Sequence, residues 1–144
     1  MENVDTTLDS FFNKSLSSVA KQAGVEDYAK FQNAGYRGMY NMLNVQLARR
    51  RGVDKTKLFD TMGRTELAAN LFRITQTEER IKSRNVQGQA MLEDTHFCVG
   101  REVRKIIQDN AGCGPEELPQ EKRLQEVKKT LKKDFKEMKK IDKK

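Results

Sequence analysis

The feature that most constrains this chain is the absence of proline from its first 114 residues. The two prolines, Pro115 and Pro119, lie close together, so every earlier segment is free of the residue that most disrupts helices. No segment alternates polar and apolar residues for long enough to predict a strand. The sequence therefore predicts an all-α fold, a compact bundle of five to seven helices with two long central helices and a basic, amphipathic C-terminal helix.

Apolar spacing and helix-end signals place these helices. A first helix is predicted from about Thr6 to just before Gly24, with an apolar stripe that includes Phe11, and a short helix follows over 26–34. Gly35 and Gly38 then predict a tight bend where the backbone passes close to another element.

Beyond this bend, Asn44 is predicted to cap a short helix closed by Gly52, and Asp54 to cap another that ends at Gly63. The two long helices are predicted over 64–83 and 89–110, the second ending at Gly112.

The basic character of the chain lies mainly in its C-terminal tail. The net charge is +7, and residues 121–144 carry eleven Lys or Arg against five Asp or Glu, so the preceding 120 residues carry about +1. Apolar residues in this tail are spaced by three or four, which predicts a coiled-coil-like seam. We therefore divide the chain into a helical core domain, 1–119, and a Lys-rich C-terminal helix, 120–144. The tail lysines either contact nucleic acid or solvate the helix, and we take Lys128, Lys132 and Lys136 as candidate binding residues.

The first long helix has a polar face that could bind a partner. The residues of this face recur at helical spacing and are Asn70, Arg73, Gln76, Thr77 and Arg80. They form a recognition surface, a buried polar network that fixes packing, or a solvated face. Glu78 and Glu79 weaken a purely phosphate-binding interpretation, because they would repel a nucleic-acid backbone.

Other arginines are candidates for the same surface. Arg49, Arg50 and Arg51 either contact phosphates or complement the dipole at a helix C-terminus. Gly100 inside a helix predicts a close helix crossing, and Arg101 and Arg104, which flank it, are predicted to join the face of Arg73 and Arg80.

No catalytic or metal-binding pattern is present in the sequence. The single histidine, His96, has no nucleophile or metal-ligand spacing around it and is interpreted as a packed or surface residue. Cys98 and Cys113 form no CxxC pair and are predicted to be reduced. The acidic, polar N-terminus is unlike a secretory signal, and no apolar run could span a membrane. We therefore expect a cytoplasmic protein that is not an enzyme and needs no cofactor.

Several segments resemble the C-terminal half of the DNA damage-inducible protein D family of bacteria and phages. The segment ELAANLFR followed by TQTEER is similar to that family, as are GYRGMY (35–40), RRGVDKTKLFDTMGRTELAANLFR (50–73), THFCVGREVRKII (95–107) and GCGPEELP (112–119). The resemblance covers roughly residues 25–120. Family members begin with a domain resembling the DNA-binding domain of phage antirepressors, which this chain is expected to lack.

The resemblance implies a role in the DNA-damage response, in which members are associated with control of recombinase filaments on single-stranded DNA. Our first hypothesis is an SOS-type, non-enzymatic modulator that binds a recombinase, another DNA-repair protein or a nucleoprotein filament. The alternatives are a direct DNA-binding, antirepressor-like regulator, with single-stranded DNA as a candidate ligand, and a phage-encoded inhibitor of a host defence protein. A homodimer through the C-terminal helix also remains open.

Overall fold

The protein is an all-α bundle built around an antiparallel pair of long helices. The computed structural model describes residues 4–120, residue 133 and residues 136–139. Within these residues, 3₁₀ helices at Lys55–Thr61 and Pro115–Glu117 accompany five α-helices: α1 (Val4–Gln22), α2 (Tyr28–Tyr40), α3 (Asn44–Arg51), α4 (Arg64–Ser83) and α5 (Gln89–Ala111). The predicted all-α fold and its two long central helices, α4 and α5, are confirmed.

The most extensive helix contact is the crossing of α2 and α5, which depends on three glycines. A Cβ atom on Gly100 would lie 2.8 Å from the carbonyl oxygen of Gly35 and 2.8 Å from the backbone nitrogen of Met39. A Cβ atom on Gly38 would overlap the carbonyl oxygen of Phe97. The two backbones therefore touch, and the close crossing predicted from Gly100 is confirmed.

Two apolar clusters fill the bundle at its two ends. One joins the C-terminal half of α2 with α3 and with the end of the α4–α5 pair where Leu67 and Val103 lie. The other places α1, through Leu16 and Ala20, against Ile74 and Ile81 of α4. Phe11 lies outside both clusters with 65% of its surface exposed, so its predicted place in the apolar stripe of the first helix is wrong.

Most helix ends follow their sequence signals. Gly52 and Gly112 adopt left-handed conformations (φ 68° and 78°) immediately after α3 and α5. The Asp54 side chain accepts a hydrogen bond from the Thr56 nitrogen and caps the first 3₁₀ helix, which ends at Thr61 rather than at Gly63. Asn44 is the first residue of α3, not its cap, and its nitrogen donates to the side-chain oxygen of Asn33.

The predicted bend at Gly35 and Gly38 is wrong, because α2 continues through both glycines to Tyr40. The glycines are present because α5 passes directly against α2, which leaves no room for side chains. The second part of that prediction, a close approach of the backbone to another element, is confirmed.

The predicted C-terminal helix lies largely outside the described residues. Lys133 and residues 136–139 are helical. Of the residues in the predicted apolar seam, only Met138 is described, so the seam is not tested. The proposed domain boundary at 119/120 is not tested either. In the part of the chain that the structure describes, no helix is long and apolar enough to cross a membrane.

Replacement of Gly100 by alanine should destabilise the protein, even though alanine favours helices by about 1 kcal/mol relative to glycine. The added methyl would meet backbone atoms of α2 at 2.8 Å, and such overpacking costs about 1–3 kcal/mol. Urea unfolding followed by circular dichroism would measure the change. Ala68→Gly, at an exposed position of α4, is the control for helix propensity alone. A stabilised Gly100→Ala variant would contradict the crossing described here.

Candidate functional site: a buried polar network and two flanking surfaces

A buried arginine and the single histidine form the centre of the polar network. Arg73 of α4 has only 2% of its surface exposed, and its Nη1 lies 2.6 Å from Nε2 of His96 on α5. The Nδ1 of His96 lies 2.8 Å from the carbonyl oxygen of Phe31 on α2. Since that carbonyl can only accept, Nδ1 carries the proton and Nε2 accepts from Arg73. The histidine thereby joins α2, α4 and α5.

The protonation state of His96 follows from its surroundings. Burial and the neighbouring Arg73 cation lower the pKa of His96 from 6.5 to about 3. Burial also lowers the pKa of Arg73, but an arginine side chain remains charged at neutral pH. The face of the Tyr36 ring lies 5.1 Å from the guanidinium carbon and partly compensates this charge.

The network continues from Arg73 to a buried carboxylate. Arg73 Nη2 donates to the Asn70 side-chain oxygen (3.1 Å), and Asn70 Nδ2 donates to the Tyr40 hydroxyl (2.8 Å). The Tyr40 hydroxyl donates to Glu66 (2.5 Å), which also lies 2.9 Å from Nη2 of Arg51 in a buried ion pair. The Arg73 cation is thus linked to the Glu66 carboxylate through the neutral side chains of Asn70 and Tyr40, and Glu66 pairs directly with the Arg51 cation.

Burial also governs the two acids of the network. It raises the pKa of Glu66 above its ordinary value, although the hydrogen bond from Tyr40 and the charge of Arg51 act in the opposite direction. Burial and the Glu66 charge raise the pKa of Tyr40 well above its ordinary value. These groups are closed off from solvent, so the arrangement is suited to fixing helix packing rather than to binding a substrate. Within the described residues, no cluster of His, Cys, Asp or Glu could hold a metal ion.

The polar face predicted on α4 is therefore divided by the fold. Asn70, Arg73 and Thr77 are buried and cannot contact a partner, whereas Gln76 is exposed. Arg80 is partly exposed and makes a two-pronged ion pair with Glu102 of α5, at 2.6 and 3.0 Å.

An apolar groove lies between the outer sides of α4 and α5. It has a volume of about 690 Å³, and Phe72 and Ile106, each 47% exposed, stand at its two walls. Thr65, Ala68 and Val103 also line it. Phe72, Gln76 and Arg80 are spaced by four on α4, so an aromatic, an amide and an arginine follow one line beside the groove.

The three arginines at the end of α3 have different surroundings. Arg51 is buried against Glu66, so it is unavailable to phosphate. Arg50 is exposed and lies 3.9 Å from Glu117, a long surface ion pair, and Arg49 is exposed. All three lie in the last turn of α3, where cations complement the helix dipole.

Arg101 and Arg104 do not join the face of Arg73 and Arg80; that prediction is wrong, because α5 turns both toward the end of α2. Arg101 donates to the side-chain oxygen of Asn41 (2.6 Å). Arg104 donates to the carbonyl oxygen of Met39 (2.9 Å) and pairs with Glu116 through two bonds of 2.7 and 2.9 Å.

One group of residues escaped sequence analysis. Phe97 of α5 is half-buried at the edge of the helix crossing, with Arg37 of α2 and Arg101 of α5 packed on its ring. Their guanidinium carbons lie 5.7 and 5.2 Å from the ring centroid. The i, i+4 spacing of Phe97 and Arg101 was a signal, but Arg37 is remote in sequence and only the crossing brings it there.

The remaining candidates are in the tail. Lys128 and Lys132 lie outside the described residues, and Lys136 is exposed on a helical segment.

Cys98, on α5, and Cys113, in the turn after it, are free thiols, each partly buried.

Comparison with known proteins agrees with the resemblance in the sequence. A model described as the DinD C-terminal domain matches residues 7–130. DNA damage-inducible protein D of Escherichia coli (strain K12) is 51% identical over 112 residues, which cover 74% of this chain and 41% of that protein. The chain thus spans about two fifths of the length of this relative. No solved structure matches it. The chain belongs to the family of DinD C-terminal domains.

The neutral His96 should make folding stability depend on pH in mildly acidic solution. The unfolded chain binds a proton at this histidine near pH 6.5, whereas the folded chain does not until about pH 3. Stability should therefore fall as pH falls, by about 1.4 kcal/mol between pH 7.5 and 5.5 from this residue. The raised pKa of Glu66 acts in the opposite direction, and comparison of wild type with His96→Gln removes that contribution.

Urea unfolding of both proteins at pH 7.5 and 5.5 would measure the effect. His96→Gln should be less stable at pH 7.5 but should lose less stability on acidification. An equal loss in the two proteins would contradict a neutral buried histidine. NMR of the wild-type imidazole provides an independent check, because the ring should show no protonation at pH 5.5.

Proposed function

We propose that this member of the DinD C-terminal domain family is a non-enzymatic, cytoplasmic modulator of the bacterial DNA-damage response that binds a recombinase or its nucleoprotein filament. Membership of this family supports a role in the DNA-damage response, since a relative of 51% identity is a DNA damage-inducible protein. The apolar groove between α4 and α5 is the observation that carries the contact with a protein.

The groove has the composition of a protein-binding surface. Two large apolar side chains, Phe72 and Ile106, are each about half exposed at its walls. Interfaces between proteins concentrate their binding energy in such apolar anchors and in neighbouring arginines. Arg80, two turns from Phe72, supplies the arginine, and its partner Glu102 keeps that end of the groove near neutral.

Charge around the groove favours a protein over DNA. Glu79 is exposed on α4, and Glu102 of α5 is exposed and pairs with Arg80. Carboxylates repel a phosphate backbone, whereas they can pair with basic side chains of a protein. Arg49 and Arg50, exposed on α3, supply a second charged region for the same partner or for the DNA that it carries.

Binding to a purified bacterial recombinase, alone and assembled on single-stranded DNA, tests this proposal. Phe72→Ser should weaken binding at least tenfold, because truncation of a buried interface anchor costs about 2 kcal/mol or more. Met91→Ser is the matched control, since Met91 is also an exposed apolar residue of a long helix but lies away from the groove. Biolayer interferometry would measure both, and added salt should change the affinity only modestly.

Two results would contradict the proposal. If the wild-type protein bound neither the free recombinase nor the filament, a recombinase could not be its partner. If Phe72→Ser and Met91→Ser weakened the binding equally, the groove would not be the binding surface.

A further inference from the structure

We propose that Arg37, Phe97 and Arg101 form a site for single-stranded nucleic acid, in which the arginines bind backbone phosphates and an unpaired base stacks on the Phe97–arginine group. This site lies on the opposite flank of α5 from the groove. Phe97 and Ile106 are nine residues apart, about two and a half helical turns, and therefore point in opposite directions. The inference is thus independent of the protein contact proposed above.

The helix crossing assembles the site. Gly38 packs against the carbonyl oxygen of Phe97, so α2 and α5 lie close enough for side chains of both to share one ring. Arg37 comes from α2 and Arg101 from α5, and both guanidinium groups lie within 6 Å of the Phe97 centroid. Asn41, in a left-handed conformation (φ 61°) after α2, holds Arg101 through its side-chain oxygen at 2.6 Å.

The two arginines carry charge that no carboxylate of the described residues neutralises in an ion pair. Among the described residues, neither forms an ion pair with a carboxylate, whereas Arg51, Arg80 and Arg104 each do. The Asn41 amide and the ring are both neutral, so two exposed positive charges remain around one ring. The acids nearest to them along α5 have other partners: Glu102 pairs with Arg80, and Asp94 accepts a long hydrogen bond from the Cys98 thiol (4.0 Å). An anion at this site would therefore relieve repulsion between like charges.

The geometry favours nucleic acid over a simple anion. Guanidinium groups present planar sets of donors that match phosphate oxygens, and their flat faces accept a stacked base. A partly exposed aromatic ring beside them is the arrangement by which single strands are bound without sequence preference. Duplex DNA hides its base faces within the stack, whereas the bases of a single strand are free to stack on a side chain. The ligand class is therefore a single strand.

Fluorescence anisotropy with a labelled oligothymidylate, at low and moderate salt, tests the site in the full chain. Arg37→Ala/Arg101→Ala should weaken binding at least tenfold. It should also lower the slope of log affinity against log salt by about 1.4, because two phosphate contacts are lost. Lys55→Ala/Lys57→Ala removes two exposed charges elsewhere and is the matched control, which should change affinity less than threefold.

Substitution of the ring separates stacking from charge. Phe97→Leu keeps an apolar side chain and should weaken binding about fivefold or more, whereas Phe97→Tyr keeps the ring and should bind like wild type. Thermal melts of each variant establish that it is folded. Four results would overturn the proposal: no binding by wild type, equal losses in the two double variants, an unchanged Phe97→Leu, or tighter binding of a duplex of the same length.

Discussion

The fold depends on a cation placed inside it. The buried Arg73 guanidinium needs hydrogen-bond acceptors, because no water can replace them. His96 accepts from Arg73 through Nε2 only while the ring is neutral and its proton is on Nδ1, which donates to the carbonyl oxygen of Phe31. That pair of hydrogen bonds fixes α4, α5 and α2 relative to one another. The Arg73–His96 pair also fills the space where a Cβ of residue 35 would stand, so α2 must carry glycine there. A polar interaction thereby determines where the backbones may touch.

Local signals in the sequence predicted the helices well, because helix ends are set by neighbouring residues. Gly52 and Gly112 end α3 and α5 in left-handed conformations, and Asp54 caps the 3₁₀ helix that follows α3. Gly35 and Gly38 were misinterpreted as a bend because a glycine that bends a chain and a glycine that admits a neighbouring backbone look alike in sequence. Only the position of α5 distinguishes the two.

The surfaces were harder to predict than the helices. Periodicity located the polar side of α4 but not its surroundings: that helix packs on both α1 and α5, so its arginine and asparagine are interior while Phe72 faces solvent. Two of the arginines chosen as binding residues are instead bound to buried side chains: Arg51 pairs with Glu66, and Arg73 donates to His96 and Asn70. Arg37 and Phe97 are sixty positions apart, and no spacing rule connects residues so distant. In each case the sequence could not show which side chains of another helix lie next to the residue.

The distance along the chain between α2 and α5 has a consequence for how the molecule forms. The α4–α5 pair is joined by a short turn, so its contacts, including the groove, are local and can form early. The hydrogen bonds that tie α2 to α5, such as Arg101 to Asn41 and His96 to Phe31, close loops of 60 and 65 residues. We expect such contacts to form late, since the entropy of closing long loops opposes them. The arginine-flanked ring therefore exists only in the completed fold, whereas the groove can exist before it.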